Sequence, residues 1–416
     1  MAGSFLGMRN PPLAFRNVVH GGRRSLAAIS GAAFSLVMVL LQLGFLQAVR
    51  ITATNNFDVL DFDVLLTSAR FEQFYAPGFL PLERLRQARN VPTVESATPL
   101  YATFALWRCP PFPLDAPPED SAPRPGALAR WLGGAQTPRP LQRRQLYAMG
   151  VDLDQIPFRS PIRESIEANR SRLRMPNRVL LNARSHPDFG WELRDFNHDW
   201  ELEGTAVSIV GGFDMLRGFA ADSTVLLKAD DFVRICGYES RETMNYGLLK
   251  VKPGTVAQAV ADLRKTLPND VLVNSRDEVL EREVDHWVNQ TSTGKLFAVG
   301  VLVAMVVAAV VVYQVLSNDV REHMPEYATL RAMGYSTLRL AGILVFQAVL
   351  YMLISFVVAV LISLMVYAAT EALAGIPMVL TPQNLTLTFG LAMAVGVISG
   401  ALTVNRLRSA DPAELF

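Results

Sequence analysis

The sequence predicts an integral membrane α-helical protein with four transmembrane helices and a large extracytoplasmic α+β domain. Three observations point there. The 416-residue chain is 50% hydrophobic with a mean hydropathy of +0.24, too apolar for an ordinary soluble protein that is also 19% charged. Four windows, Leu26–Val49, Leu296–Leu316, Leu340–Thr370 and Leu385–Val404, contain no charged residue. The basic residues around those windows are distributed unevenly, as membrane topology requires.

Taken in order, residues 1–25 read as a cytoplasmic amphipathic helix. Leu13, Phe15, Val18 and Val19 alternate with Arg16, Arg23 and Arg24, which suits a helix lying along the inner membrane surface. Gly21 and Gly22 then provide the bend into the first span, 26–50. That apolar run exceeds the core of a signal peptide, so the expectation is a retained anchor. Spans two to four are placed at 295–317, 340–370 and 385–405, each reaching the roughly 20 apolar residues that a bilayer demands. The third is overlong and must tilt, kink or project.

Orientation follows from the arginines. Arg9, Arg16, Arg23 and Arg24 precede span one, Arg321, Arg331 and Arg339 lie between spans two and three, and Arg406 and Arg408 follow span four. The short loop 371–384 has no Lys or Arg. Both termini and the 318–339 loop are therefore placed in the cytoplasm of a multi-pass inner-membrane protein, with 51–294 and 371–384 outside.

The outside segment reads as two β-α-β units, at about 60–108 and 245–275, flanking a β-rich insertion at about 143–240 that we read as a small subdomain. In the second unit, Val256, Val260 and Leu263 share one helix face between the strands Tyr246–Val251 and Val271–Val273. Residues 109–142, rich in Pro, Gly, Ala and Arg, cannot form a regular element and read as an exposed loop. Glu278–Thr291 reads as helical, a stalk continuing span two outward. Both cysteines, Cys109 and Cys236, fall outside, where an oxidising compartment permits a disulfide; two unpaired thiols is the equal alternative.

Enzymatic chemistry is hard to place. There is no G-x-x-x-x-G-K-[ST], no H-E-x-x-H and no G-x-S-x-G. The chain is expected to be a non-catalytic subunit without a cofactor of its own. His186, Asp188, His198 and Asp199 cluster in sequence, but their spacing fits no compact metal site. The net charge of +1 and the lack of a basic tract leave no case for nucleic acid. The spans contain Gln42, Gln47, Gln314 and Gln347 but no ionisable Asp, Glu, Lys or Arg, which argues against a proton or ion pathway through them. Small residues recur at four-residue spacing, as in Ala27, Gly31 and Ser35; Gly300, Ala304 and Ala308; and Gly396 and Gly400. Such stripes serve helix packing, either within one chain or in a dimer.

The segment Asn318–Gly334, NDVREHMPEYATLRAMG, is charged and amphipathic between two apolar runs. Pro325 suits a first helical turn and Gly334 a C-cap. Its wording, R-E-H-M-P-E-Y-A-T-L-R-A-M-G-Y-S over Arg321–Ser336, resembles the loop between spans two and three of MacB/FtsX-type ABC transporter permeases. The tail R-S-A-D-P-A-E-L-F (Arg408–Phe416), the L-A-F-R-N before span one and the layout of one span, a large outside domain and three spans are similar to the same family. L-L-Q-L-G-F-L-Q-A (Leu40–Ala48) and A-M-G-Y-S look most like its DevC branch, whereas the Pro-rich loop departs from that pattern.

The resemblance implies a homodimeric permease that transmits motion from a separate P-loop ATPase, which holds the ATP and Mg, to its periplasmic domain. Glu326, Tyr327, Leu330, Arg331, Met333 and Gly334 would form the coupling helix contacting that ATPase. It further implies a membrane-fusion adaptor, an outer-membrane duct and export of a lipid-like or amphiphilic substrate. A lipoprotein-release or hydrolase-regulating FtsX-like complex is the alternative within the family, and a membrane receptor or scaffold without an ATPase is the alternative outside it.

Overall fold

Alternation along the strands decides how the large domain is built. The structure, a computed structural model, describes residues 22–108, 143–186, 189–191, 200–218, 220–237, 242–322, 336–374 and 376–408. It divides into two compact units: residues up to Ala48 together with Ser292 onward, and Val49–Thr291.

The second unit is organised by a nine-stranded mixed sheet. Its strands are β1 (Val64–Ser68), β3 (Val94–Arg108), β4 (Arg143–Val151), β5 (Arg178–Asn182), β6 (Trp200–Leu202), β7 (Thr205–Phe213), β8 (Thr224–Lys228), β10 (Tyr246–Val251) and β11 (Val271–Ser275). Their order is β11-β1-β10-β3-β4-β8-β5-β7-β6. A small pair, β2 (Leu80–Pro81) with β9 (Thr243–Met244), stands apart.

Because side chains alternate across a strand, each strand feeds two cores. Val64, Leu66, Leu146, Ala148 and Leu249 enter one. Leu65, Tyr147, Met149, Leu248 and Tyr246 enter the other. Helices cover both faces. On the first lie α2 (Leu82–Arg89), α5 (Ala229–Ile235) and α6 (Val256–Thr266), through Leu85, Phe232 and Leu263. On the second lie the end of α1 (Gly22–Asp58), α3 (Ile162–Ala168), α4 (Arg170–Leu173) and α7 (Arg276–Asp285), through Phe57, Ile166, Leu173 and Val279.

The expected β-α-β units are present as β1-α2-β3, with the short β2 leading into α2, and β10-α6-β11. The expected separate subdomain at 143–240 is not. Its strands β4, β8, β5, β7 and β6 continue the same sheet, and β6 returns to pair with the far end of β3 at Trp107↔Leu202 and Arg108↔Glu201. Six strands thus close into a ring, with Trp107 and Trp200 stacked 5.6 Å apart where it closes. Closure removes one exposed sheet edge. At the other edge, the Arg264 guanidinium donates two hydrogen bonds, of 3.0 and 2.8 Å, to the Val273 carbonyl.

The expected helix over Glu278–Thr291 is present in two parts. Helix α7 ends at Asp285 and a π-helical turn follows, His286–Gln290. Asp285 accepts from Asn289 and Gln290 at 2.7 and 2.9 Å, and Thr291 takes an extended conformation (ψ 155°) that ends the element.

Among the described residues, four helices are long and apolar enough to cross a membrane: α1, whose part up to Ala48 lies in the first unit, and α8 (Ser292–Glu322), α9 (Thr337–Ala374) and α10 (Pro382–Arg408) of that unit. All four outrun the spans predicted for them. Helix α1 continues past residue 50 to Asp58. Helix α9 has 38 residues, about 57 Å at 1.5 Å per residue, against a hydrocarbon core of roughly 30 Å. Pro382 opens α10 at its first helical position, and Thr381 Oγ1 accepts the Asn384 amide at 3.1 Å.

Candidate functional site

Of the sequence-predicted site, the small-residue positions are described and the coupling positions are not. Glu326, Tyr327, Leu330, Arg331, Met333 and Gly334 lie outside the described residues, as do Cys109, Asp188, His198 and Asp199.

Within the helix unit, small residues set how closely backbones approach. A side chain at Gly400 would stand 2.8 Å from the Val345 Cα of α9, and one at Gly396 would stand 3.2 Å from Met352 Cγ. Ala304 and Ala308 are buried, Ala304 in one apolar cluster with Val39 and Leu43, and Ala308 in another that includes Leu36 and Leu40. At Gly300 an added Cβ would fall 2.6 Å from Gln42 Cδ. A groove of about 490 Å³ runs between α1 and α8 here, lined by Met38, Gln42, Phe297, Gly300, Ala304 and Val307. The Gln42 Oε1 atom is buried in it without a hydrogen-bond partner among the described residues.

Sequence reasoning missed the tightest approach. Gly44 faces Tyr367, whose Oη lies 2.3 Å from where a Cβ would be, and that hydroxyl donates to the Leu40 carbonyl. Only glycine leaves room for the ring, and a tyrosine with a bonded hydroxyl fastens α9 to α1. Other polar groups do the same across the bundle. Ser25 bonds Tyr351 at 3.1 Å, Ser355 donates to the Ile29 carbonyl at 3.1 Å, and Ser399 donates to the Ala309 carbonyl at 3.2 Å. A bundle held by neutral hydrogen bonds and small-residue packing suits lipid, where charge is costly.

The sheet unit gathers its chemistry in two places. One is a belt of ion pairs. Asp61 meets Lys250 at 2.9 Å, Arg163 at 3.1 Å and Arg159 at 3.7 Å, and Asp63 meets Lys250 at 3.1 Å. Burial opposes the Asp61 charge, but Lys250, Arg163 and Arg159 together hold its carboxyl below the usual range.

The other is an aromatic cluster around Phe74. Phe57, Tyr75, Tyr147 and Tyr246 all pack on that ring within 5.5 Å of its centroid. The Tyr147 and Tyr246 hydroxyls both donate to the Phe74 carbonyl. The Phe74 amide donates to both carboxyl oxygens of Glu283, each at 3.2 Å. Glu283 is 1% exposed, and burial pushes its carboxyl up to about 7. The available signal was its place in the sequence: Glu283 follows Val279 by four residues on the buried face of α7, a charge on an apolar stripe.

Cys236 caps α5 half-buried, and burial pushes its thiol up to about 12, far from a reactive thiolate. Among the described residues no three His, Cys, Asp or Glu side chains group as metal ligands.

Comparison with known proteins bears on the helix unit first. Residues 298–412 match the family model of the FtsX-like permease C-terminal domain. Those residues run from α8 through α10 and include the 318–339 loop, so the FtsX-like region contains every predicted coupling position. No curated protein matches the sequence. Among solved structures, the chain is similar to the periplasmic region of MacB from Actinobacillus actinomycetemcomitans, at 9% identity and a TM-score of 0.31, over 55% of this chain and 94% of that one. It is also similar to the extracellular domain of the noncanonic ABC-type transporter YknZ from Gram-positive bacteria, at 8% identity and a TM-score of 0.30, over 51% of this chain and 99% of that one. At such scores neither likeness carries a functional argument.

Proposed function

We propose that this chain is the permease subunit of an ABC-type exporter of the MacB/FtsX kind, most like its DevC branch. One observation carries the reading: the match over 298–412 encloses a charged amphipathic segment between two apolar helices. A polar helix between two spans has to lie on a membrane face. There a separate P-loop ATPase can push on it through Glu326, Tyr327, Leu330, Arg331 and Met333. The arginine distribution supports a cytoplasmic position for that segment and both termini, with the sheet unit outside.

Two copies of the chain form the membrane unit in this reading, and a membrane-fusion adaptor with an outer-membrane duct completes the route. Cargo of lipid-like or amphiphilic character is handled outside. The absence of ionisable residues from the four apolar windows supports a machine that transmits motion over one that conducts its substrate through the spans.

The test is copurification from membranes with an affinity tag on this chain. A P-loop ATPase is expected with the wild type and is expected to be lost with the double variant Glu326→Lys/Leu330→Asp. A folded, membrane-inserted wild type that never captures an ATPase would sink the permease reading in favour of a receptor or scaffold. Recovery of the ATPase without an adaptor would move the reading to a lipoprotein-release or hydrolase-regulating complex.

A further inference from the structure

Glu283 is a buried carboxyl group whose hydrogen bonds tie three segments together. It accepts the Phe74 amide from the 70–76 turn and the Trp287 Nε1–H, at 3.0 Å, from the π-helical turn that follows its own helix. No cation touches it among the described residues. The groups around it are few. On its own helix Arg282 attracts the charge, but that guanidinium is exposed and stacked over Phe71 at 5.7 Å. On the 70–76 turn, Arg70 and Glu72 are exposed, while burial and then the Glu283 charge push the Tyr75 phenol up to about 12. From α1, Asn56 bonds that phenol. From β4 and β10, Tyr147 and Tyr246 commit their hydroxyls to the Phe74 carbonyl. Past Gln290, Asp285 is exposed and satisfied by Asn289 and Gln290.

We propose that Glu283 is a proton-operated latch, closed when protonated, that holds the helix and π-helical turn of residues 276–290 on the 70–76 turn. The physical basis is that an ionised carboxylate prefers water to an apolar pocket lacking a bonded cation. A protonated carboxyl keeps its acceptor oxygen for Phe74 and Trp287 without that penalty. Opening, which lets the group reach water, is therefore favoured as pH rises. The π-helical turn, a rare geometry found frequently at functional sites, is the part released. Because this helix precedes span two in the chain, the latch acts on the segment leading into the membrane.

Hydrogen–deuterium exchange on the full chain in lipid nanodiscs tests this, as the ratio of exchange in residues 276–290 to that in α6 at pH 5–8. The ratio cancels the intrinsic pH dependence of exchange. With the group near 7 when closed and 4.5 when open, the wild-type ratio is expected to rise about tenfold per pH unit from about 5 to 7 and then level off. Glu283→Gln is expected to be flat. Trp287→Phe, which keeps the carboxyl but removes a donor that favours its charge, is expected to level off at higher pH. A wild-type ratio that does not change with pH overturns the latch, as does a Glu283→Gln protein that keeps the rise. Should Glu283→Gln fail to fold, a Trp287→Phe profile identical to wild type overturns it.

Discussion

The sheet unit is bounded in the chain by two helical segments, Val49–Asp58 and Arg276–Gln290, and they are fixed by different chemistry. The first is held by neutral and apolar groups. Phe57 packs edge-on against Phe62, Phe74 and Tyr246, and Asn55 donates to the Leu216 carbonyl at 3.2 Å. The second rests on a buried acid, Glu283. The two are joined by Arg276, which donates to the Phe57 and Leu60 carbonyls at 3.2 and 3.1 Å and to Asp58 at 2.9 Å. One attachment is indifferent to protons near neutrality and the other is not. That difference lets one end of the domain be permanent while the other is conditional.

The comparison breaks most severely at Phe57. Phe57→Ala removes a fully buried ring from the aromatic cluster and is expected to cost about 3–5 kcal/mol. Thermal unfolding of the purified chain should show the same loss at pH 5 and at pH 8. Next comes the pH dependence itself. Glu283 has a folded value near 7 against 4.5 unfolded, so its stabilising contribution is complete below about 4.5 and is lost as pH rises through 7. At about 1.4 kcal/mol per unit, wild type should lose up to about 3 kcal/mol from this group between pH 4.5 and 8. Chemical denaturation across that range should show the loss, and Glu283→Gln should remove it.

Arg276→Ala sharpens the comparison from the middle. It strands two carbonyls and uncovers the Phe62 face, over which the guanidinium sits at 5.1 Å. A loss of about 2 kcal/mol is expected, with faster amide exchange at both ends together. Least of all, Asp58→Asn touches only a half-exposed ion pair. It should shift the denaturation midpoint by less than about 1 kcal/mol. A large effect there would mean that the first segment, too, is held electrostatically.

The four apolar helices were plain in the sequence because length and missing charge suffice to mark them. Their true ends were not, since Arg50 stops an apolar run without stopping a helix, and α1 goes on to Asp58. The strands Tyr246–Val251 and Arg178–Asn182 were legible as runs of β-forming residues, and the structure keeps those bounds. What no local pattern reveals is that β6 comes back to β3, because Trp107 and Leu202 meet although they stand 95 positions apart in the chain. The π-helical turn was hidden for a related reason: His286–Gln290 reads as ordinary helix until Asp285 captures the side chains at 289 and 290. In the bundle, the four-residue stripes drew notice to Gly300, Gly396 and Gly400. Gly44, which stands four residues before Ala48 but was not singled out, is the residue that Tyr367 requires.

Strand β1 lies between β10 and β11, with Leu65 opposite Leu248 on one side and Asn274 on the other. Both neighbours are encoded far downstream. On a ribosome adding roughly 5–20 residues per second, Val64–Ser68 emerges on the order of 10–40 s before residues 246–275 can pair with it. Throughout that interval a buried-type apolar strand has both hydrogen-bonding edges open, while the span preceding it is already available to the membrane. The nascent chain therefore carries its greatest aggregation hazard early, next to the bilayer, and retires it only as the last two large strands of the sheet are made.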